Sequence, residues 1–216
     1  MSETLVVVDY GINNLGSVFN AFVRLGHEAV LAESPDDLVG ASGIVLPGVG
    51  SFDRAAEALH REGFTETLRV AMDDGTPLLG ICLGMQLLCL GSEEGERKWP
   101  GFGVVRGRLR RLPGDVKVPH MGWNTVDAAR CSPLFCGIPG GSHFYFVHSF
   151  FLDTGQDPRV VLATCDYGRS EVAAVVARGN ILGTQFHPEK SGPAGLKFLD
   201  NFARSVHSGR ARRGWC

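Results

Sequence analysis

The cysteines of this 216-residue chain form no C-x-x-C pair and no regular spacing: Cys82, Cys89, Cys131, Cys136, Cys165 and Cys216 are scattered. That pattern argues against a zinc site or a disulfide framework and makes a reducing cytoplasm the natural setting. An excess of one charge is also missing. With 21 Lys and Arg against 23 Asp and Glu the net charge is −2, so neither a nucleic-acid-binding surface nor bulk attraction to a membrane is expected. The N-terminal stretch also has no long apolar run. The stretch Leu5-Val6-Val7-Val8 is cut off by Asp9 and is neither a signal peptide nor a membrane span. No internal repeat or second domain boundary is visible. We therefore expect one domain over residues 1–206, long enough to bury a good core, followed by a basic, glycine-rich tail over 207–216 that should be disordered.

Glycine is plentiful, at 29 residues, which fits many tight strand-to-helix turns. Leu5–Val8 reads as a strand covered on both faces, followed by a helix over about Asn14 to Leu25 that Gly26 is placed to stop. A short strand near Ala29–Ala32, a weak helix after Pro35 and a buried strand Gly43–Pro47 come next. Helices are expected over Phe52–His60, with Ser51 as N-cap, and over Thr65–Met72. This alternation predicts a parallel α/β sheet with helices on both faces, whose ligands collect at the carboxyl ends of the strands.

The chain is organised around Thr76–Leu90, TPLLGICLGMQLLCL. A buried strand, Pro77–Ile81, runs into a turn carrying Cys82, and a helix should follow at once. Gly80-Ile81-Cys82-Leu83-Gly84 has the G-x-nucleophile-x-G form of a nucleophile elbow, whose tight turn requires glycine two residues either side. A thiol at a helix start faces unpaired N–H groups that favour the thiolate. A buried, inert cysteine in a strand-to-helix turn is the plainer reading of the same residues.

Beyond Leu90 the pattern changes to strands joined by short turns: Val104–Leu112, Val116–Pro119, Phe144–Phe150, Val160–Thr164, Val172–Ala177 and Ile181–Phe186. Antiparallel pairing here would extend the parallel core on one side, giving an open, twisted, mixed sheet. An amphipathic helix over Pro193–Val206 closes the domain.

A cysteine nucleophile needs a base and a group to orient that base. Of the seven histidines, His27, His60 and His207 are expected at the surface, while His120, His143 and His148 stay possible. His187 stands out. It ends an apolar strand, and Pro188 favours extended geometry before it, so Glu189 can reach back to its ring. Pro47-Gly48-Val49-Gly50 is either an ordinary βα turn or an oxyanion arm able to reorient a peptide N–H beside Cys82.

Taken together, Pro47–Gly50, Gly80–Gln86 and Thr184-Gln185-Phe186-His187-Pro188-Glu189 occur in the order of oxyanion loop, nucleophile and His-Glu pair. In that order the chain resembles the class I, triad-type glutamine amidotransferases over nearly its whole length. Asp9-Tyr10-Gly11 with Asn14-Leu15, Pro119-His120-Met121-Gly122-Trp123-Asn124, Tyr145–Ser149 and His187–Ser191 are similar to one branch, the glutaminase subunits of imidazole glycerol phosphate synthase in histidine biosynthesis. Asn13 and Phe150 depart from the pattern expected there.

The resemblance implies a flavodoxin-like fold, Cys82 as nucleophile, His187 as base and Glu189 as its orienter. It implies an oxyanion hole from the backbone N–H groups of Val49 and Leu83. Glutamine would be held by Gly48, Gln86, Glu94 and the backbone around His148 and Ser149. It implies no metal and no cofactor, and a partner that is the (β/α)8-barrel cyclase subunit of the synthase. Competing readings are the glutaminase subunit of an anthranilate or aminodeoxychorismate synthase, a non-catalytic scaffold relative, and a cysteine hydrolase of unrelated acyl substrates.

Overall fold

The computed structural model describes residues 4–11, 15–95 and 99–215; Asn13 and Asn14, quoted above, and Cys216 lie outside them. In chain order the first half gives β1 (Leu5–Val8), α1 (Leu15–Arg24), β2 (Ala29–Ala32), β3 (Gly43–Gly48), α2 (Phe52–Arg61), α3 (Phe64–Asp73), β4 (Leu78–Cys82) and the short α4 (Leu83–Leu87). The second half gives β5 (Cys89–Ser92), β6 (Val105–Arg111), β7 (His120–Thr125), β8 (Asp127–Ala128), β9 (His143–His148) and β10 (Phe150–Phe151). Strands β11 (Val161–Tyr167), β12 (Ser170–Arg178) and β13 (Ile181–Thr184) then lead to α5 (Gly192–His207).

Eight strands form the main sheet in the order β2-β1-β3-β4-β13-β12-β11-β8. The first five are mutually parallel and the last three add on antiparallel, as the sequence predicts. The run Leu5–Val8 shows why it carries no polar residue. Val6 and Val8 pack with Phe52, Leu59, Phe64 and Leu68 of α2 and α3, while Leu5 and Val7 pack with Val18 and Phe22 of α1 and with Phe198 and Phe202 of α5. A strand with period two and helices on both faces has no solvent side. Among the described residues, no helix is long and apolar enough to cross a membrane.

Several expected elements fall elsewhere. The elbow helix stops at Leu87, and Cys89–Ser92 is strand β5, parallel to β6. The carbonyls of Leu87 and Leu88 accept from Phe102 (2.7 Å) and Val105 (3.0 Å), so the chain joins a small sheet instead of continuing the helix. Val116–Pro119 forms no strand; pairing starts one residue later, where β7 meets β9 from His120↔His148 onward. Pro119 has no N–H to offer a ladder. The expected strand Phe144–Phe150 is broken at Ser149, because β9 pairs with β7 whereas β10 pairs with β6. Ser149 is therefore where the chain changes sheets.

The tail expected to be disordered is packed through Trp215. Its ring stacks on Phe202 with centroids 5.4 Å apart, Ser132 Oγ donates to its carbonyl at 2.6 Å, and Ala211 is buried beside it. The two apolar residues in an otherwise basic stretch are what anchor it.

Candidate active site

Cys82 ends β4 with φ 53° and ψ −105°, the single non-glycine at positive φ among the described residues. A residue held there stores about 1–3 kcal/mol of backbone strain, and the surroundings show what enforces it. A Cβ on Gly84 would collide with the carbonyl oxygen of Leu46 on β3, and one on Gly80 would stand 2.7 Å from the Gly84 backbone. Gly48 is equally constrained, since its Cβ would lie 2.7 Å from that of Leu83. The elbow and the Pro47–Gly50 loop thus touch backbone to backbone, as β3 and β4 are adjacent parallel strands with Gly48 opposite Cys82.

His187 follows β13, the other neighbour of β4. Its backbone N–H donates to the Tyr145 carbonyl at 2.9 Å, and Ser191 Oγ both donates to the His187 carbonyl (2.6 Å) and accepts from the Tyr145 N–H (2.9 Å). These bonds clamp the histidine to β9. As predicted before a proline, His187 is extended, at φ −97° and ψ 97°. Glu189, however, returns to it through a 3-10 turn over Pro188–Lys190 and not along an extended chain. Nδ1 meets Glu189 Oε1 at 2.9 Å, with both side chains almost fully buried. Nε2 is buried and has no conventional hydrogen-bond partner. Burial alone would lower the ring's pKa, but interaction with the Cys82 sulfur and then with Glu189 outweighs it and lifts the value to about 10. The ring is thus a stable imidazolium when sulfur and carboxylate are both anionic.

A cavity of about 290 Å³ opens over this set. That is room for a small, amino-acid-sized ligand. Val49, Leu83, Gln86, Glu94, His148 and Ser149, all expected here, line it together with Cys82 and His187. Gly48 does not; it supports the floor beneath Leu83. Gln86 spends its amide N–H groups on the Phe150 carbonyl and on Gln185 Oε1, both at 3.0 Å. Glu94 Oε2 accepts the Phe52 N–H at 2.8 Å, capping α2. Ser51, the expected cap, stands at the N-cap position but makes no side-chain bond to the helix. One acidic side chain therefore closes the helix start and lines the cavity.

The remaining histidines sort clearly. His148 Nδ1 lies 3.0 Å from the Phe150 carbonyl, and that carbonyl can only accept, so Nδ1 carries the proton. Its Nε2 must then accept, and the His120 Nδ1 at 3.0 Å donates to it. His120 Nε2 is left to accept from Asn124 Nδ2 at 3.4 Å. Each ring is neutral in this chain, and burial agrees, pushing His148 down to about 3 with help from His120, and His120 to about 4. Neither has a lone pair left for a substrate. His143 is exposed at the far end of β9. His27, expected at the surface, is instead largely buried against Asp200 (3.1 Å) with its ring 5.3 Å from that of His207.

Two residues quoted above only as parts of motifs have roles that the sequence did not reveal. The buried Tyr10 hydroxyl donates to the Pro47 carbonyl at 2.9 Å, fastening the base of the Val49 loop. Gln185, wholly buried, directs Nε2 at the Cys82 sulfur, 3.7 Å away. A buried amide in an apolar strand was the available signal for the second. Among the described residues, no cluster of three His, Cys, Asp or Glu side chains is placed to hold a metal ion.

The family model for glutamine amidotransferase class-I matches residues 6–206. The chain is 47% identical over 202 residues to the imidazole glycerol phosphate synthase subunit HisH of Symbiobacterium thermophilum, covering 94% of each. It is 46% identical over 208 residues to the subunit of the same name from Moorella thermoacetica, covering 96% of this chain and 98% of that one. Among solved structures, PurLQS from Thermotoga maritima aligns with a TM-score of 0.76 at 21% identity, over 95% of this chain and 100% of that chain. A structure described as a glutamine amidotransferase aligns with a TM-score of 0.70 at 22% identity, over 91% of this chain and 98% of that chain. Likeness at that level concerns the fold alone.

Proposed function

The chain belongs to the class-I glutamine amidotransferase family, and from that premise we propose that it is the glutaminase subunit of an imidazole glycerol phosphate synthase. It hydrolyses glutamine to glutamate and ammonia and delivers the ammonia to a cyclase subunit. Near-full-length similarity to HisH subunits supports the pathway, histidine biosynthesis. The observation that carries the chemistry is the strained Cys82 at the floor of an amino-acid-sized cavity, with a buried His187–Glu189 pair against it.

The Cys82 sulfur attacks the side-chain carbonyl carbon of glutamine, and its proton passes to His187 Nε2. Glu189 holds the proton on Nδ1 and stabilises the imidazolium. The oxyanion that forms is met by the backbone N–H groups of Leu83 and Val49, each worth roughly a hundredfold or more in rate. Collapse breaks the C–N bond, His187 protonates the departing amine, and ammonia leaves a thioester on Cys82. Water, deprotonated by His187, then attacks the thioester and releases glutamate. Gln86, the Glu94 carboxylate and the backbone of His148 and Ser149 hold the substrate, Glu94 facing its ammonium group, while Gly48 keeps the loop close to the elbow.

The partner is a (β/α)8-barrel cyclase through which ammonia passes to the nucleotide acceptor, avoiding protonation in water. The subunit acts in the cytoplasm as a single domain over residues 1–206, with the segment after it packed back on α5. Mixing the chain with a barrel cyclase and its nucleotide should give glutamine-dependent imidazole glycerol phosphate. Ammonia-dependent product without any glutamine-dependent product would refute the assignment.

A further inference from the structure

Gln185 lies between Thr184 and Phe186 at the end of an otherwise apolar strand and is wholly buried. A buried amide is costly unless each of its polar ends is used. Here the neighbours dictate which end faces which way. The Phe150 carbonyl can only accept, so Gln86 must turn its Nε2 toward it, at 3.0 Å. The same nitrogen lies 3.0 Å from the other amide, so the group facing it there has to be an acceptor, Gln185 Oε1. Turning the Gln185 amide over would set two donors against each other. Its Nε2 therefore points the other way, to the Cys82 sulfur at 3.7 Å. The direction of the whole chain follows from a single backbone carbonyl.

We propose that Gln185 is a positioning residue for the nucleophile: its amide N–H donates to the Cys82 sulfur, favouring the thiolate and fixing its direction of attack. The proposal rests on Cys82 being the nucleophile and adds a second stabilising group to the His187 imidazolium. A neutral thiol is a weak acceptor, whereas a thiolate is a strong one, so a donor fixed at this place bonds the charged form selectively. The thiol's alternative is to donate to the Val147 carbonyl at 3.8 Å, and only the protonated form can do that. The two contacts therefore pull in opposite directions, and the Gln185 amide is the one that assists chemistry. Because Gln86 lines the cavity and sets the Gln185 amide, one pair of side chains links the substrate wall to the sulfur.

The test is the pH dependence of iodoacetamide alkylation, followed by mass spectrometry on the peptide containing Cys82, since Cys131 and Cys136 are exposed and will also react. Gln185→Met keeps the length of the side chain and removes the donor. Its alkylation midpoint should move up by about one pH unit, with reaction at neutral pH about tenfold slower. The kcat for glutamine should fall with little change in KM. A purely packing role would leave the midpoint where it is. Folding is checked by circular dichroism and by the denaturant midpoint of the isolated chain. Should Gln185→Met fail to fold, Gln86→Met decides: it removes the group that orients the amide, and a smaller upward shift is expected. A midpoint identical to wild type in folded Gln185→Met, or in Gln86→Met when the first does not fold, overturns the proposal. The alkylation needs neither glutamine nor partner, so a failure of the glutaminase assignment would appear as absent ammonia release with this profile unaffected.

Discussion

Cys82 is held by its neighbours in a conformation it would not adopt freely, and the side chains around it divide the work of charge between them. His187 supplies the positive charge, raised by the sulfur and by Glu189 against the effect of burial. Glu189→Gln preserves the shape but loses that charge and the fixed tautomer. Glutamine turnover should drop by about a hundredfold or more with KM nearly constant, as steady-state kinetics in the complex would read. The His120–His148 pair behaves in the opposite sense. Both rings are buried neutral, and their folded pKa values, about 4 and about 3, lie below the ordinary histidine value. The unfolded chain therefore binds more protons in this range. Their contribution to stability is complete above about pH 6.5 and is lost as pH falls toward 4. Denaturant midpoints should decline across that window, and His120→Gln should flatten the decline; equal slopes in the two proteins would contradict the neutral pair.

Elements place these residues where no single stretch of sequence could. The elbow was legible because its constraint is local: glycine at 80 and 84, an apolar strand before and a helix after. The His-Pro-Glu segment was legible for the same reason. What was not legible depended on which strand pairs with which. Nothing local says that the chain after Leu87 leaves the helix for β5, or that Ser149 changes sheets, because both depend on partners that are distant in sequence. Gln185 was hidden likewise, since its partner Gln86 is 99 residues away. The tail misled because its composition is basic, while one aromatic ring decides its fate. Trp215→Ala should cost about 3 kcal/mol or more, measured by chemical denaturation. A change within about 0.5 kcal/mol, ordinary for an exposed site, would mean the tail is free in solution. Gly48→Ala should force the loop away from Leu83 and reduce glutamine turnover more than it reduces stability, since only the loop, not the core, must shift.

At the scale of the molecule, a doubly covered parallel sheet brings β3, β4 and β13 side by side, and their carboxyl ends lead to the Pro47–Gly50 loop, Cys82 and His187 in turn. Three segments spread over residues 47–189 thus meet because adjacent parallel strands end on the same edge. Their order in the chain was readable from the start; their adjacency was an inference from the resemblance until the strand order supplied it. The whole account depends on Cys82 delivering ammonia that the partner can also take from solution. The direct measurement is product formation by the complex carrying Cys82→Ala, with glutamine and with ammonium salt as alternative nitrogen sources. Glutamine-dependent synthesis should vanish while ammonium-dependent synthesis stays at the wild-type level. Persistence of the glutamine-dependent rate in that variant would remove Cys82 from the chemistry and the assignment with it.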